Sequence, residues 1–80
     1  MTRKRVNSTD VLTLGWESAT GYVTADSIGT LEVEFKRGRT VYQYFNVPVF
    51  VYREIERAHS VGAALHRLVK AAGYDYKQVA

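Results

Sequence analysis

The 80-residue sequence predicts an α+β domain, a small antiparallel sheet with two C-terminal helices packed on one face. Three observations carry that reading. Apolar and polar residues alternate over 11–16, 30–35 and 40–47, the two-residue period of a half-buried strand. The Lys36-Arg37-Gly38-Arg39 corner joins the last two runs as a hairpin. At Val47-Pro48 the period lengthens to that of a helix, and Gly73 offers a natural end. The order is strand, loop, hairpin, helix, helix.

Size and composition narrow the classes. A chain this short buries only roughly 60% of the surface its unfolded state exposes, so one domain is expected, with little stability to spare for strained catalytic geometry. Without cysteine there is no disulfide, zinc-thiolate or thiol nucleophile, and a reducing, cytoplasmic setting is expected. The longest apolar run, 47–52, is far short of a membrane span. Net charge is +3, from eleven Lys and Arg against eight Asp and Glu, which admits a polyanionic partner. No cofactor, metal or membrane partner is expected.

Residues 1–5 read as a flexible basic arm, 6–76 as the domain and 77–80 as a loose tail. Asn7-Ser8-Thr9-Asp10 is a turn cluster. In the first strand Leu12, Leu14 and Trp16 share one face, with Val11, Thr13 and Gly15 on the other. Residues 17–29 read as a loop, with a short strand of its own if Tyr22-Val23-Thr24 pairs. The sheet then has three strands, or four with that segment.

The hairpin register admits two readings. A two-residue loop, Arg37-Gly38, sets Val33 opposite Tyr42 and puts Tyr42 and Tyr44 with Leu31 and Phe35. A three-residue loop, Lys36-Arg37-Gly38, sets Val33 opposite Val41 and puts the tyrosines with Glu32 and Glu34. The first demands positive φ at an arginine and the second only at Gly38, so turn preference favours the second.

Proline at 48 suits a first helical position, and Val51, Ile55 and Ala58 form the core stripe of the first helix, with Tyr52 at its edge. Ser60 caps the second helix, whose stripe is Val61, Leu65, Leu68 and Ala72.

An ordered series of short motifs gives a family resemblance. It comprises Val6-Asn7-Ser8, Leu14-Gly15-Trp16, the Leu31 to Phe35 run with Gly38, Tyr42-Gln43-Tyr44, Val47-Pro48 with Tyr52, Ala58 with Ser60 and Gly62, and Tyr74. The chain resembles the KTSC domain, found at the C-terminus of some lysyl-tRNA synthetases and as small stand-alone bacterial proteins. The resemblance implies no catalytic activity and raises RNA as a partner. Two features depart from it: a longer segment at 19–28, and Ala64, Leu65 and His66 where aromatics and an Asn are usual.

Tyr42 and Tyr44, two apart on a strand, resemble a base-stacking platform, with Lys36, Arg37 and Arg39 beside them to hold phosphates. Cross-strand packing explains the same tyrosines and is the commoner use of strand aromatics. Arg3, Lys4 and Arg5 are candidates for a phosphate-binding arm, or a solvated terminus. Ser60-Val61-Gly62 invites a small anion, though an ordinary N-cap accounts for Ser60. His59 and His66 lack metal-site spacing, and no serine has a triad context. The expected function is a non-catalytic nucleic-acid-binding module, RNA above all. The alternative is a protein-interaction adaptor or inhibitor working through the hairpin or the 19–28 segment.

Overall fold

Five strands form one antiparallel meander in the order β1-β2-β3-β4-β5, in a computed structural model that describes residues 1–80. They are β1 (Lys4–Arg5), β2 (Val11–Ser18), β3 (Ile28–Phe35), β4 (Val41–Pro48) and β5 (Tyr76–Gln78). Helix α1 (Val49–Arg57) follows β4 directly, and α2 (Val61–Leu65) continues through a π-type turn at His66–Lys70. The α+β class and the two helices are as expected, and the strand count is not. The extra strands are the two edges, and neither comes from 22–24.

The first edge comes from the arm expected to be flexible, and the second runs from Tyr76, at the end of the expected domain, into the tail expected to be loose. Lys4 pairs with Leu14 and Arg5 with Thr13, so the basic arm is the first strand. Tyr76, Lys77 and Gln78 pair with Tyr44, Gln43 and Tyr42, and the Val79 amide bonds to the Val41 carbonyl at 2.8 Å. Two or three polar residues carry no periodicity of their own, and the existing edges of β2 and β4 template them. Gly15 makes the first docking possible. A Cβ there would stand 2.6 Å from the Thr2 carbonyl oxygen, so only glycine lets the N-terminal segment cross the sheet.

The loop between β2 and β3 is held by its own hydroxyls. Ser18 Oγ donates to the Tyr22 carbonyl at 2.5 Å, and Ser27 Oγ accepts from the Thr24 amide at 2.7 Å. Those bonds replace a sheet ladder, which is why Tyr22-Val23-Thr24 forms no strand despite its β-forming residues.

The core lies between the helices and one face of the sheet, here the inner face. It joins Val11, Leu14, Leu31, Val33, Tyr44 and Val47 to Val51, Ile55, Val61, Ala64, Leu65 and Val69. A bulge between Val11 and Thr13 turns Val11 inward beside Leu14, correcting the simple alternation expected of β2. Trp16 pins α1 down: its Nε1 donates to the Val47 carbonyl at 3.0 Å and its ring stacks on Tyr52 at 6.3 Å. Pro48 sits at the N-cap of α1 with extended backbone, one residue earlier than expected. Ser60 caps α2 as expected, accepting from the Ala63 amide. The α2 stripe shifts to Val61, Ala64, Leu65 and Val69 because the π-type turn adds a residue, leaving Leu68 at the margin and Ala72 exposed.

Candidate functional site

The hairpin between β3 and β4 takes neither register reading's loop. Four residues, Lys36 to Arg39, span the corner, and the Phe35 amide bonds to the Thr40 carbonyl at 2.9 Å. Gly38 and Arg39 both take positive φ, 72° and 54°. An even-numbered loop has the parity of a two-residue one, so Val33 faces Tyr42 and Leu31 faces Tyr44. The favoured three-residue reading is therefore overturned. It failed because the left-handed arginine it avoided is present, at Arg39 instead of Arg37.

Both tyrosines consequently lie on the inner face. Tyr44 is 3% exposed and belongs to the core, and Tyr42 is half-buried at its margin. Their rings meet edge to face at 76°, centroids 6.5 Å apart, so they are not a flat platform. Burial first, then Tyr42 and Tyr76 beside it, pushes the Tyr44 phenol above its usual 10.0. Tyr44 stays neutral and acts as a wall.

What opens to solvent is a groove along that margin, where the helices stop short of β4 and β5. Tyr76, directly across from Tyr44, is 66% exposed and lies 6.0 Å from the Tyr42 ring and 5.8 Å from the Tyr44 ring. Phe35 meets Tyr42 edge-on at 5.7 Å, and Lys70 Nζ lies 4.7 Å above the Phe35 ring. The groove has two lobes. A lobe of about 630 Å³ is walled by Phe35, Tyr42 and Leu65, with Lys36, Arg37 and Lys70 at its rim and Asp10 opposite Gly62. The other, about 730 Å³, runs between Tyr42, Tyr44, Tyr74 and Tyr76 and includes Asp75. Tyr42 and Lys70 belong to both, so the lobes are continuous.

The remaining predicted cations go elsewhere. On the outer face Arg3 Nη1 bonds to Glu32 Oε2 at 2.7 Å, and Arg39 Nε donates to Glu34 Oε2 at 3.0 Å. Thr13 Oγ1 and Gln43 Nε2 donate to the same two carboxylates, each residue only 9% exposed. The Arg39 hydrogen bond, helped by Thr13 and by the charges of Arg39 and Arg3, holds Glu34 below the usual 4.5 against the opposing effect of burial. Lys4 contacts Glu56, whose carboxylate also accepts from Tyr52; burial, then Glu56, pushes the Tyr52 phenol up to about 12. Arg5 is on β1, three strands from β4 and so roughly 14 Å across the sheet.

Of the eight predicted residues, Tyr42, Tyr44, Lys36 and Arg37 come together. Arg39, Arg3, Lys4 and Arg5 do not. Sequence reasoning missed Lys70, Phe35 and Tyr76 as members of the same site. Lys70 and Tyr76 are nearly thirty residues or more from Tyr42 along the chain, and no local signal joins them.

The structure brings no three His, Cys, Asp or Glu side chains together as a metal site, and no helix is long and apolar enough to cross a membrane. Comparison with known proteins gives two findings. The family model of the KTSC domain matches residues 7–74. A crystal structure of a KTSC domain protein from Yersinia pestis superimposes with a TM-score of 0.80 at 22% identity, covering 99% of this chain and 97% of that one. No curated protein matches. At that identity the likeness speaks for the fold alone.

Proposed function

The chain belongs to the KTSC domain family, and we propose that it is a non-catalytic module binding single-stranded nucleic acid, RNA foremost, along the β4–β5 groove. One observation carries the reading: partly open aromatics adjoin three cations, Lys36, Arg37 and Lys70, that make no ion pair. Aromatic faces can stack only on bases that are already unpaired, so a single strand fits them and a duplex does not. Unpaired cations at a groove rim can replace the counterions of a phosphate backbone without first breaking a protein ion pair. The bases would contact Tyr42 and Tyr76, with Tyr44 behind them. The groove contains no histidine and no hydroxyl paired with a base, so binding is the chemistry its residues support. The absence of cysteine suits a cytoplasmic setting.

Fluorescence anisotropy against labelled single-stranded RNA, the matching DNA and a tRNA tests this. Binding at low salt that weakens about tenfold or more in Tyr42→Ala and in Lys36→Glu/Arg37→Glu is expected. No binding at roughly 50 mM salt, a condition that favours electrostatic contacts, overturns it.

A second reading, a protein adaptor, has its own observation. Tyr22 is 80% exposed, and Val23, Ile28 and Phe50 are exposed at the same end of the molecule. The Val49 amide bonds to the Ser27 carbonyl there, joining the 19–27 loop to the start of α1. A specific partner retained after nuclease treatment and lost in Tyr22→Ala/Phe50→Ala would favour it.

A further inference from the structure

Glu32, Glu34 and Glu56 are paired with cations. The charges of the lobe below the hairpin corner are not. Lys36, Arg37 and Lys70 share that lobe with Asp10, yet no pair among them comes within ion-pair distance, and the Asp10 carboxylate accepts no hydrogen bond. Asp10 Oδ2 faces Gly62, 3.5 Å from where a Cβ there would stand, so glycine leaves the carboxylate uncovered. Phe35, Tyr42 and Leu65 supply the apolar wall of the lobe.

A lobe lined by three cations, a free carboxylate and an aromatic wall suits a dipolar ligand. One end must be anionic and the other must present hydrogen-bond donors, joined by a flat apolar body. A nucleotide has that form. Among the bases, guanine alone presents two adjacent N–H donors, N1–H and N2–H, on its Watson–Crick edge, matching the two oxygens of a carboxylate. We infer that this lobe is a guanine-selective subsite within a single strand, Asp10 accepting from the base edge and Lys36, Arg37 and Lys70 holding flanking phosphates. The inference rests on the proposed nucleic-acid function. The shared Tyr42 and Lys70 let the strand continue into the Tyr44–Tyr76 lobe, which has less charge and takes a neighbouring base by stacking.

The test uses the full chain and fluorescein-labelled heptamers of uridine carrying G, A, C, U or inosine at the centre. Inosine keeps N1–H and lacks the N2 amine. The G heptamer should bind about tenfold tighter than the U heptamer, at the lower part of the range for a bidentate base contact, with inosine between. Asp10→Asn should bring the G-to-U ratio near one. The Asp10 amide bonds to Ser8 Oγ and its carbonyl accepts from the Lys36 amide, both independent of the side chain, so the variant retains its local fold. Guanosine monophosphate should compete poorly, since it fills one lobe. Equal affinity for all five heptamers, still lost in Tyr42→Ala, overturns the subsite and leaves the function standing. A G preference that survives Asp10→Asn overturns it too. A mononucleotide binding as tightly as the heptamer overturns the strand as the ligand. If no heptamer binds, the nucleic-acid function falls and the subsite with it.

Discussion

The two faces of the sheet spend similar residues in opposite ways. On the outer face Arg3 and Arg39 neutralise Glu32 and Glu34, with Thr13 and Gln43 satisfying the remaining oxygens. Charge there is consumed internally and fastens an N-terminal strand. On the inner face apolar side chains fill the space under the helices, and where the helices stop, Lys36, Arg37 and Lys70 adjoin an aromatic margin with no carboxylate paired to them. A chain of net charge +3 thus sets three cations free of ion pairs around one groove, although its most basic run, Arg3-Lys4-Arg5, is at the opposite edge. Clustering in sequence is a poor guide to available charge, because a cation counts only if no carboxylate has taken it.

The strongest way to break the comparison is to empty the inner face. Leu31 is fully buried and pairs across to Tyr44. Leu31→Ala should cost about 3 kcal/mol, within the range for truncating a buried leucine, read from urea unfolding. A cost below about 1 kcal/mol would mean the site collapses easily, and the packed floor beneath the groove would lose its warrant.

The second effect separates the faces by salt. Three groove cations contacting phosphates predict a log–log slope of RNA affinity against salt near −2, since each contact on a single strand contributes about −0.7. Lys70→Ala should lower the magnitude by about one contact, whereas Arg3→Ala, on the other face, should leave the slope in place. A slope that falls equally in both variants would show that outer-face charge is available after all.

Much of this architecture was legible in the sequence, for a physical reason. Strand β3 and helix α1 are amphipathic, so their residues announce which side is buried, and the motif series named the family that residues 7–74 match. The hairpin register was not legible, because turn preferences disfavour a left-handed arginine and the four-residue loop places one at Arg39. The edges were hidden for another reason. Lys4–Arg5 and Tyr76–Gln78 pair only because a neighbour offers its backbone, and a two-residue strand has no period to read. The site was half legible. Tyr42, Lys36 and Arg37 are close in sequence, but Lys70 arrives on the π-type turn after α2 and Tyr76 on β5, and tertiary packing alone joins them.

A smaller effect tests what the outer-face cluster does for the fold. Arg3 is partly exposed, so its ion pair with Glu32 is screened, and Arg3→Ala should cost about 1 kcal/mol. The loss should appear first as faster hydrogen exchange at β1, since the same residue helps hold the N-terminal segment across Gly15. Exchange unchanged at β1 would mean its backbone bonds to β2 suffice.

The smallest effect concerns acid. Arg39, then Thr13, favours the ionised form of Glu34 in the folded protein, and its carboxyl titrates below the 4.5 it has when unfolded. A depressed folded value means the unfolded chain binds the proton first as pH falls. The contribution of Glu34 is therefore complete above about 4.5 and declines as pH drops through the lowered folded value. Glu34→Gln supplies the difference, because the amide keeps the shape and gives up the charge. The urea midpoints of the two proteins should differ most near pH 6 and converge as pH approaches 3. A gap that stays constant would show that Glu34 contributes through shape and hydrogen bonding, with its charge already offset by solvent, and the outer face would then differ from the inner one only in polarity.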